Sequence, residues 1–468
     1  MAKLESPLPA SLPAGTGTAV FCCGTCLHRR RKIVRLELVV DSARHRVAAR
    51  GMPRPDLYDL DPRAFRSGFW GTVRVPARAA GAVELALAVR LDGGDEEVVA
   101  LGAIPVVGRE PALTGTAGDG LIAVCMATYE PDMALFATQV QSLRAQTDGR
   151  WLCVVSDDCS SPERFAQLQA LIAGDERFAV SRSERRLGFY RNFERALRLA
   201  PPDAQLIALC DQDDRWHPDK LATLRGALGA AQLVYSDQRL VDADGHVLRE
   251  TLWHGRRNNH TDLASLLVAN SVTGAASLFR REVAELALPF PDTPGLQFHD
   301  HWLGLVALAA GDIAYVDRPL YDYVQHRGAV FGEVTGGTRS SRARGLLRGG
   351  RGAYFLGYLP REVQAQALLV RCADRLTASK RRVLRRYLAA ARSPVAFAWL
   401  AARPLRALTG RNETLGSEAE LAHGIAWRWA VALLARAPAR WARRLCDASF
   451  PDPLSFEQRR LRRWRARA

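Results

Sequence analysis

The chain lacks any uninterrupted apolar run of the roughly 20 residues that a membrane-spanning helix needs, so no such helix is expected. Its first twenty residues also lack the charged start and apolar core of a secretion signal, and Pro7, Pro9 and Pro13 interrupt them. No internal repeat of fixed period is present. These absences predict a protein that is neither secreted nor embedded, and we expect it to be cytoplasmic.

Paired cysteine motifs are also scarce. The nine cysteines are scattered and odd in number, and Cys23-Gly24-Thr25-Cys26 is the only C-x-x-C. This pattern favours a reduced protein in which cysteines act as small apolar side chains. A zinc clip made by Cys22, Cys23, Cys26 and His28 is the alternative.

Acidic residues are fewer than basic ones, and the net charge is +16. Beyond Gly336 the composition shifts to Arg, Ala and Leu, and six of the last ten residues are Arg. This balance indicates an anionic partner, such as lipid headgroups, a diphosphate-linked lipid or nucleic acid. Residues 395–400 and 425–434 resemble interfacial helix pieces, whereas a basic helical region packed on the core is equally compatible with the sequence.

Residues 31–110 alternate apolar and polar side chains, and Asp92-Gly93-Gly94 is typical of a hairpin turn. We predict an all-β sandwich here, preceded by a flexible segment at residues 1–30. Trp70 or Phe69 could bind a glycan, or both could be core residues. The remaining domains are predicted at residues 118–336 and, as a basic helical region, at 337–468.

Residues 118–336 alternate short apolar runs with helical patterns, which predicts an α/β domain with a mostly parallel sheet. In such a sheet the carboxyl ends of the strands face the ligand crevice. Asp157-Asp158 follows one predicted strand, and Asp211-Gln212-Asp213-Asp214 follows another. Because clustered carboxylates repel one another, the second motif predicts a divalent cation that also binds phosphate. An Asp-rich surface turn is the alternative.

From residue 120 to about 332 the chain resembles family 2 glycosyltransferases of the GT-A fold. The resemblance rests on five stretches in a fixed order: Ala127-Thr128-Tyr129, Asp157-Asp158, Leu187 to Phe193, the D-Q-D-D-x-W-x-P-x-K-L run from Asp211 to Leu221, and His299-Asp300-His301-Trp302. The Gln212 form of the motif is similar to rhamnosyltransferases of bacterial surface polysaccharide (O-antigen) synthesis.

The resemblance implies that Tyr129 stacks on the donor base and that Asp158 accepts a hydrogen bond from it, while Asp157 is structural. Arg186 and Arg191 are candidates for the diphosphate or ribose, with solvated surface as the alternative. The complete set that we expect to bind the donor nucleotide is Thr128, Tyr129, Glu130, Asp158, Arg186, Asn192, Asp211 and Gln212.

For the metal, Mn²⁺ or Mg²⁺, the resemblance implies Asp213 as the direct ligand, with Asp211 second and His326 completing the coordination. Asp300 matches the family position of the general base, although capping of the next helix is the simpler role. The acceptor side is expected to include Gly274, His299, His301 and Trp302.

The sequence therefore predicts a metal-dependent, inverting transfer from a UDP or dTDP sugar, such as dTDP-rhamnose, to a hydroxyl of a glycan or lipid-linked glycan. Peripheral contact with an anionic membrane at its cytoplasmic face is part of this hypothesis, and nucleic acid is not expected. Two rivals stay open: a nucleotidyltransferase that makes nucleotide sugars, and a non-catalytic basic scaffold that binds anionic lipid or nucleic acid.

Overall fold

The computed structural model describes residues 2–58, 60–108, 120–253, 259–295, 297–325, 349–409 and 415–434. The N-terminal part of the chain contains two mainly antiparallel sheets, with strand orders β1-β3-β7-β6 and β2-β9-β8-β4-β5. Their strands are β1 Ala2–Leu4, β2 Leu12–Pro13, β3 Thr18–Cys26, β4 Ile33–Val40, β5 Ala43–Arg46, β6 Ala49–Met52, β7 Gly68–Val75, β8 Ala82–Leu91 and β9 Glu96–Val107. Helix α1 (Pro55–Tyr58) and a 3₁₀ turn (Pro62–Arg66) connect β6 to β7.

The two sheets face one another across a single apolar core, as in a β-sandwich. Side chains from both contribute, including Val73 of β7 and Leu87 of β8. The two-residue period of a β-strand explains how β8 contributes to this core. Val83, Leu85 and Leu87 point into it, while Glu84, which follows Val83, is exposed. The β8–β9 hairpin turns at Gly93, whose φ of +95° suits glycine.

Residues 1–30 are not the flexible segment that we predicted. Strand β3 lies in the middle of its sheet, pairing with β1 and β7. Its residues are buried on both faces, with Cys22 in the sandwich core and Cys23 in the core shared with the α/β domain. Pro7, Pro9 and Pro13 all lie outside β3, so they do not interrupt its ladder. Since Cys22 and Cys23 point to opposite faces, they cannot both join the zinc clip.

A third sheet, of mixed direction, forms the α/β domain, in the order β12-β11-β10-β13-β17-β15-β18-β14, with β16 on β15. Strands β12, β11, β10 and β13 are parallel neighbours, and β15 and β18 are parallel as well. The predicted α/β class is confirmed. The strands are β10 Ile122–Thr128, β11 Trp151–Asp157, β12 Phe178–Arg182, β13 Leu206–Cys210, β14 Arg215–Trp216, β15 Leu233–Asp242, β16 Val247–Arg249, β17 Ser277–Arg280 and β18 Ile313–Gln325.

Helices cover this sheet, which is why β10 and β13 are apolar almost without interruption. They are α2 Met133–Arg144, α3 Pro162–Ile172, α4 Phe189–Leu199, α5 Lys220–Leu228, α6 Leu263–Val268, α7 Arg281–Ala287 and α8 His299–Ala310, with a 3₁₀ turn at Gly274–Ala276. Asp132 caps α2 by accepting from the backbone N–H groups of Ala134 and Leu135, as its position predicts. Connections from β10, β11 and β13 all leave at one edge of the sheet.

The C-terminal region is helical and packs on both other parts. It comprises α9 Gly350–Gly352, a π-helical turn Ala353–Tyr358, α10 Leu359–Arg371, α11 Ala378–Ala389, α12 Pro394–Ala402, a 3₁₀ helix Arg403–Thr409 and α13 Leu415–Leu434. Trp70 is 2% exposed, and its indole N–H donates to the Tyr354 hydroxyl at 3.1 Å. Phe69 is 1% exposed in the sandwich core. Both aromatics are therefore packing residues, and the glycan-binding interpretation of them is wrong.

Among the described helices, none is both long and apolar enough to cross a bilayer.

Candidate active site

Strand β13 delivers the acidic motif to the edge of the sheet. Its five residues are fully covered, and the next four are Asp211, Gln212, Asp213 and Asp214. Asp214 turns inward: it is 1% exposed, and one carboxylate oxygen accepts from the Val324 backbone N–H at 3.3 Å. Burial, followed by the nearby Asp211 and Asp213, raises the pKa of Asp214 well above its usual value. Asp214 therefore supports the motif from beneath.

Asp211 connects the motif to the opposite side of the site. Its pKa is raised by burial first, then by Asp213 and then by Asp300. The last influence is informative because Asp300 belongs to α8, almost ninety residues further along the chain. The fold therefore brings together carboxylates that the sequence keeps apart, and their repulsion favours a cation between them.

Lys220 is a site residue whose role the sequence analysis missed. It is fully buried, with its ammonium 3.4 Å from the centroid of the Trp216 ring and 4.6 Å from that of Tyr321. It also donates to the Ala275 carbonyl, which lies in the turn beside α8. Burial lowers its pKa to about 7, while Cys210, Asp214 and Asp211 act in the opposite direction. The sequence signal that could have revealed this residue is a lysine at the start of the apolar face of α5.

Gln212 holds the loop that follows β10. Its side-chain amide accepts from the Tyr129 backbone N–H at 2.8 Å and donates to the Tyr129 carbonyl at 3.3 Å. Both atoms of the amide are engaged with the backbone, so the structure gives Gln212 a positioning role beside the loop that follows β10. This pairing explains why a glutamine occupies the second place of the motif.

The Tyr129 ring lies at the surface, 36% exposed, and the Arg186 guanidinium carbon is 3.9 Å from its centroid. This is a cation–π contact. The structure thus brings together two residues that we assigned separately to the donor. Because Arg186 covers one face of the Tyr129 ring, a base would contact the part of this pair that stays exposed.

Asp158 accepts two backbone N–H groups from the loop before α4, at 2.5 Å from Leu187 and 2.8 Å from Gly188. Gly188 has a φ of +83°, which only glycine adopts without strain. Burial raises the pKa of Asp158, and the two backbone N–H groups oppose this. Asp158 therefore fixes the loop that carries Arg186, and its remaining lone pairs are what a base could use.

Neighbouring residues tie the strand ends to one another. Asp157 accepts from the Thr128 hydroxyl at 3.1 Å and from the Ser160 backbone N–H at 2.9 Å. The Glu130 backbone N–H donates to the Ser160 hydroxyl at 2.8 Å, and the Glu130 carboxylate accepts from the Ser161 N–H at 2.5 Å. Asp157 is thus structural in its contacts, and Thr128 and Glu130 shape the loop.

Asn192 does not face the crevice. It is 2% exposed, and its amide nitrogen donates to the carbonyls of Thr128 at 3.1 Å and Ser156 at 2.8 Å. Its oxygen accepts from the Ser156 hydroxyl at 2.7 Å. Because its amide is saturated by the strand ends, the prediction that Asn192 binds the donor nucleotide is wrong. Arg191 is likewise engaged, with Glu194, Asp292 and the Phe290 carbonyl.

Asp300 lies in the first turn of α8. Its carboxylate accepts from the His301 backbone N–H at 2.6 Å, and Gly274 and Asn270 also donate to it. Burial raises its pKa to about 6, against the lowering effect of these donors. The N-cap position of α8 is Phe298, which makes no side-chain cap bond, so capping is not the role of Asp300. With its pKa near 6 the carboxylate is ionised at neutral pH, which a proton acceptor requires.

His299 stacks on Phe193, with ring centroids 3.8 Å apart, and is 8% exposed. Burial lowers its pKa to about 3, so the imidazole is neutral. Within the described residues neither ring nitrogen has a hydrogen-bond partner. A side chain added at Gly274 would place its Cβ 2.7 Å from the His299 Nε2, so Gly274 permits this approach.

The other two acceptor-side expectations are wrong. His301 is 7% exposed and its Nε2 bonds to the Leu266 carbonyl at 2.7 Å, while Trp302 is fully buried and donates to the Ala287 carbonyl at 2.9 Å. Both face the interior because α8 is surrounded by protein, with every residue from His301 to Ala309 buried. His326, expected as a metal ligand, lies outside the described residues.

A further acidic group was not anticipated. Asp242, Asp244 and His246 place ligand atoms within 4.8 Å of one another at the turn between β15 and β16. The Asp242 carboxylate accepts from the backbone N–H groups of Asp244 and His246, which accounts for the arrangement as a turn.

Residues 124–286 match the family described as glycosyl transferase family 2. The uncharacterized protein y4gI of Sinorhizobium fredii (strain NBRC 101917 / NGR234) is 33% identical over 122 residues, which are 25% of this chain and 13% of that protein. The chain thus corresponds to only a small part of this relative.

Solved structures are more distant. Residues 1–349 of S. aureus TarS in complex with UDP-GlcNAc give a TM-score of 0.40 at 14% identity, covering 66% of this chain and 92% of that one. The mannosyltransferase PcManGT from Pyrobaculum calidifontis, in complex with GDP-Man and Mn²⁺, gives 0.36 at 17% identity, covering 67% and 90%.

Proposed function

We propose, from the premise that residues 124–286 make this chain a family 2 glycosyltransferase, that it transfers a sugar from a nucleoside-diphosphate donor to a hydroxyl of a glycan or lipid-linked glycan. UDP and dTDP sugars are the proposed donors, with dTDP-rhamnose first among them. The observation that carries this proposal is the approach of Asp300 of α8 to Asp211 of the motif at the edge of the sheet, close enough to raise the Asp211 pKa alongside Asp213.

The carboxylates of the acidic motif suit a divalent cation. Asp211 and Asp213 offer carboxylate oxygens at the edge of the sheet, and one Asp214 oxygen is buried without a partner among the described residues. Hard cations such as Mn²⁺ and Mg²⁺ prefer such oxygens. Asp213 would hold the metal directly, with Asp211 beside it and His326 as the third proposed ligand. The bound cation would neutralise charge on the departing diphosphate.

The donor nucleotide is proposed to lie along the strand ends. Tyr129 and Arg186 form a stacked pair that presents an aromatic edge and a guanidinium to it. Asp158 faces the same loop and fixes it through Leu187 and Gly188. A base beside Tyr129 and phosphates near Arg186 fit this arrangement, because arginine pairs well with phosphate oxygens.

Asp300 is proposed as the general base of an inverting transfer. It would accept the proton of the acceptor hydroxyl as that oxygen attacks the anomeric carbon opposite the leaving diphosphate. Such a base contributes roughly 10²–10⁴-fold to the rate. His299, with its unpartnered nitrogens beside Gly274, is proposed to bind a sugar hydroxyl on the acceptor side. The protein is further proposed to act in the cytoplasm, peripheral to an anionic membrane.

The test is nucleoside-diphosphate release from UDP, dTDP and GDP sugars, with and without Mn²⁺, in the wild type and in Asp213→Ala and Asp300→Asn. Asp203→Ala is the matched control, because Asp203 is exposed and remote from the motif. We expect metal-dependent release from one donor, abolished in Asp213→Ala, strongly reduced in Asp300→Asn and unchanged in the control. Failure of UDP and dTDP to bind in the presence of Mn²⁺ would refute the proposal.

The nucleotidyltransferase rival makes a different prediction, namely pyrophosphate release from a nucleoside triphosphate and a sugar 1-phosphate. We expect none. The scaffold rival predicts that Asp213→Ala and the control behave alike in every assay.

A further inference from the structure

Helix α12 (Pro394–Ala402) presents an apolar face to the outside. Its inward positions Ala396 and Leu400 are buried, whereas Val395 is 75% exposed, and Leu405 in the following turn is 63% exposed. Surface helices normally place polar residues outward, so this helix has the reverse of the usual pattern. The exposed positions recur at helical spacing and form one strip: Pro394, Val395, Ala398, Ala401, Ala402 and Leu405.

Helix α11 (Ala378–Ala389), which packs beside α12, carries a row of arginines. Leu384 and Tyr387 are buried against the core, and Arg382, Arg385 and Arg386 are exposed on the other face. Spacing of three and four residues places these arginines together. Within the described part of the chain Arg382 and Arg385 enter no ion pair, unlike many other surface arginines of this protein.

One aromatic residue joins the two helices. The Arg386 guanidinium carbon lies 4.9 Å from the centroid of the Trp399 ring, and that of Arg403 lies 5.5 Å from it. Trp399 is partly buried between them. Tryptophan with flanking arginine is the side-chain combination that anchors proteins at the boundary between headgroups and acyl chains.

The charge of the chain limits what can cover this surface. No acidic residue occurs between Asp374 and Glu413, and residues 326–348 and 435–468 are both richer in Arg than in Asp and Glu. Neither segment complements a row of arginines. A second copy docked face to face would also oppose like charges, which is unfavourable. An anionic surface complements both the charge and the apolar strip.

The surface is connected to α8 by contacts through α6. Arg403 donates to the Ser265 hydroxyl at 2.7 Å, and Arg406 donates to the same atom at 2.8 Å. Ser265 belongs to α6, and its neighbour Leu266 bonds to His301 next to Asp300. Helix α6 thus lies between this surface and α8.

We infer that the exposed faces of α11 and α12 form a docking surface for an anionic phospholipid bilayer. The arginines bind headgroup phosphates, and the strip from Val395 to Leu405 enters the interface. The inference rests on the proposed function and deepens it, since a bilayer held here would bring a lipid-linked acceptor to the enzyme. Basic residues near such a membrane strengthen its binding, and the apolar strip adds to this.

The test is co-sedimentation of the full chain with vesicles of phosphatidylcholine containing about 30% phosphatidylglycerol, compared with pure phosphatidylcholine vesicles. The variants are Arg382→Glu/Arg385→Glu, Val395→Glu, and the matched control Arg29→Glu/Arg30→Glu, whose arginines are exposed in the β3–β4 loop. We expect binding to anionic vesicles only, reduced at least about tenfold by the first two variants and less than about twofold by the control.

Three outcomes would overturn the inference. They are equal binding to both vesicle types, equal loss in the control variant, or self-association in place of vesicle binding. Binding of a short RNA without vesicle binding would reassign the surface to nucleic acid. Titration of each variant with UDP, dTDP and Mn²⁺ separates the two proposals, because the surface variants are expected to bind nucleotide as the wild type does.

Discussion

At the scale of single residues, the proposed role of Asp300 as general base links the pKa of its carboxyl to the rate. Burial raises that pKa to about 6, so the carboxylate gains a proton as the pH falls through this value. A protonated base cannot accept the acceptor hydroxyl's proton. We predict that kcat/KM falls about tenfold per pH unit below about pH 6 and is flat above it. A pH–rate profile of donor turnover checks this, with Asp300→Asn expected to lose the inflection. An inflection of the same position in Asp300→Asn would assign it elsewhere.

Gly274 tests the close approach of the acceptor-side turn to α8. In Gly274→Ala the new Cβ would lie 2.7 Å from His299 Nε2 and 3.4 Å from the Asp300 Cβ. One of these groups must move, and displacements near 1 Å can cost about 10²-fold in rate. We predict a large fall in kcat with donor affinity unchanged. Gly226→Ala is the control, because nothing lies within 4 Å of its added Cβ. Equal activity of the two variants would contradict the prediction.

His299 connects stability to pH. Its pKa is lowered by burial to about 3, whereas in the unfolded chain it is about 6.5. The unfolded state therefore binds a proton that the native state does not, and stability is lost as the pH falls below about 6.5. We predict that His299→Phe, which keeps the stack on Phe193, reduces the loss of unfolding free energy between pH 7 and pH 5 by about 1–2 kcal/mol. Urea denaturation at both pH values measures this, and an unchanged pH dependence would refute it.

At the scale of elements, the local sequence pattern was sufficient to predict those strands and helices whose burial and ends depend on neighbouring residues in the chain. The apolar runs of β10 and β13 and the cap at Asp132 were predictable because their burial follows from neighbouring residues. The carboxylates at the strand ends followed from sheet geometry. Contacts between distant segments were not predictable. Asn192 is saturated by carbonyls of β10 and β11, and β3 is a central strand only because β7 pairs with it.

The contact between β7 and the π-helical turn is one such element pair. The Trp70 indole N–H donates to the buried Tyr354 hydroxyl at 3.1 Å. Losing a buried hydrogen bond while one partner remains costs about 1–3 kcal/mol. We predict this destabilisation for Trp70→Phe, plus lost packing, and a smaller one for Tyr354→Phe. Urea denaturation of the double variant should show a loss of unfolding free energy that is smaller than the sum of the losses in the two single variants. Strict additivity would show that the bond contributes nothing.

At the scale of the whole molecule, Arg371 joins the three parts of the chain. From α10 its guanidinium donates to the Gly17 carbonyl before β3 at 2.8 Å and to the Ala287 carbonyl at the end of α7 at 2.5 Å. It also lies 5.5 Å from the ring centroid of Trp302, within the core of α8. Burial lowers its pKa to about 10, which still leaves it charged at neutral pH. One side chain therefore satisfies backbone groups of both the sandwich and the catalytic domain.

We predict that Arg371→Met lowers the free energy of unfolding by about 3–5 kcal/mol, because two buried carbonyls each lose a charged donor worth roughly 1.5–3 kcal/mol. It should also separate the unfolding of the sandwich from that of the catalytic domain, since the parts lose a shared contact. Arg375→Met is the matched control: this neighbouring arginine is exposed and pairs with Glu282, and surface pairs contribute about 0–1 kcal/mol. Calorimetry and urea denaturation of the full chain measure both effects. A single transition in Arg371→Met, shifted no more than in the control, would mean that the parts cooperate through the apolar contacts of α10 alone.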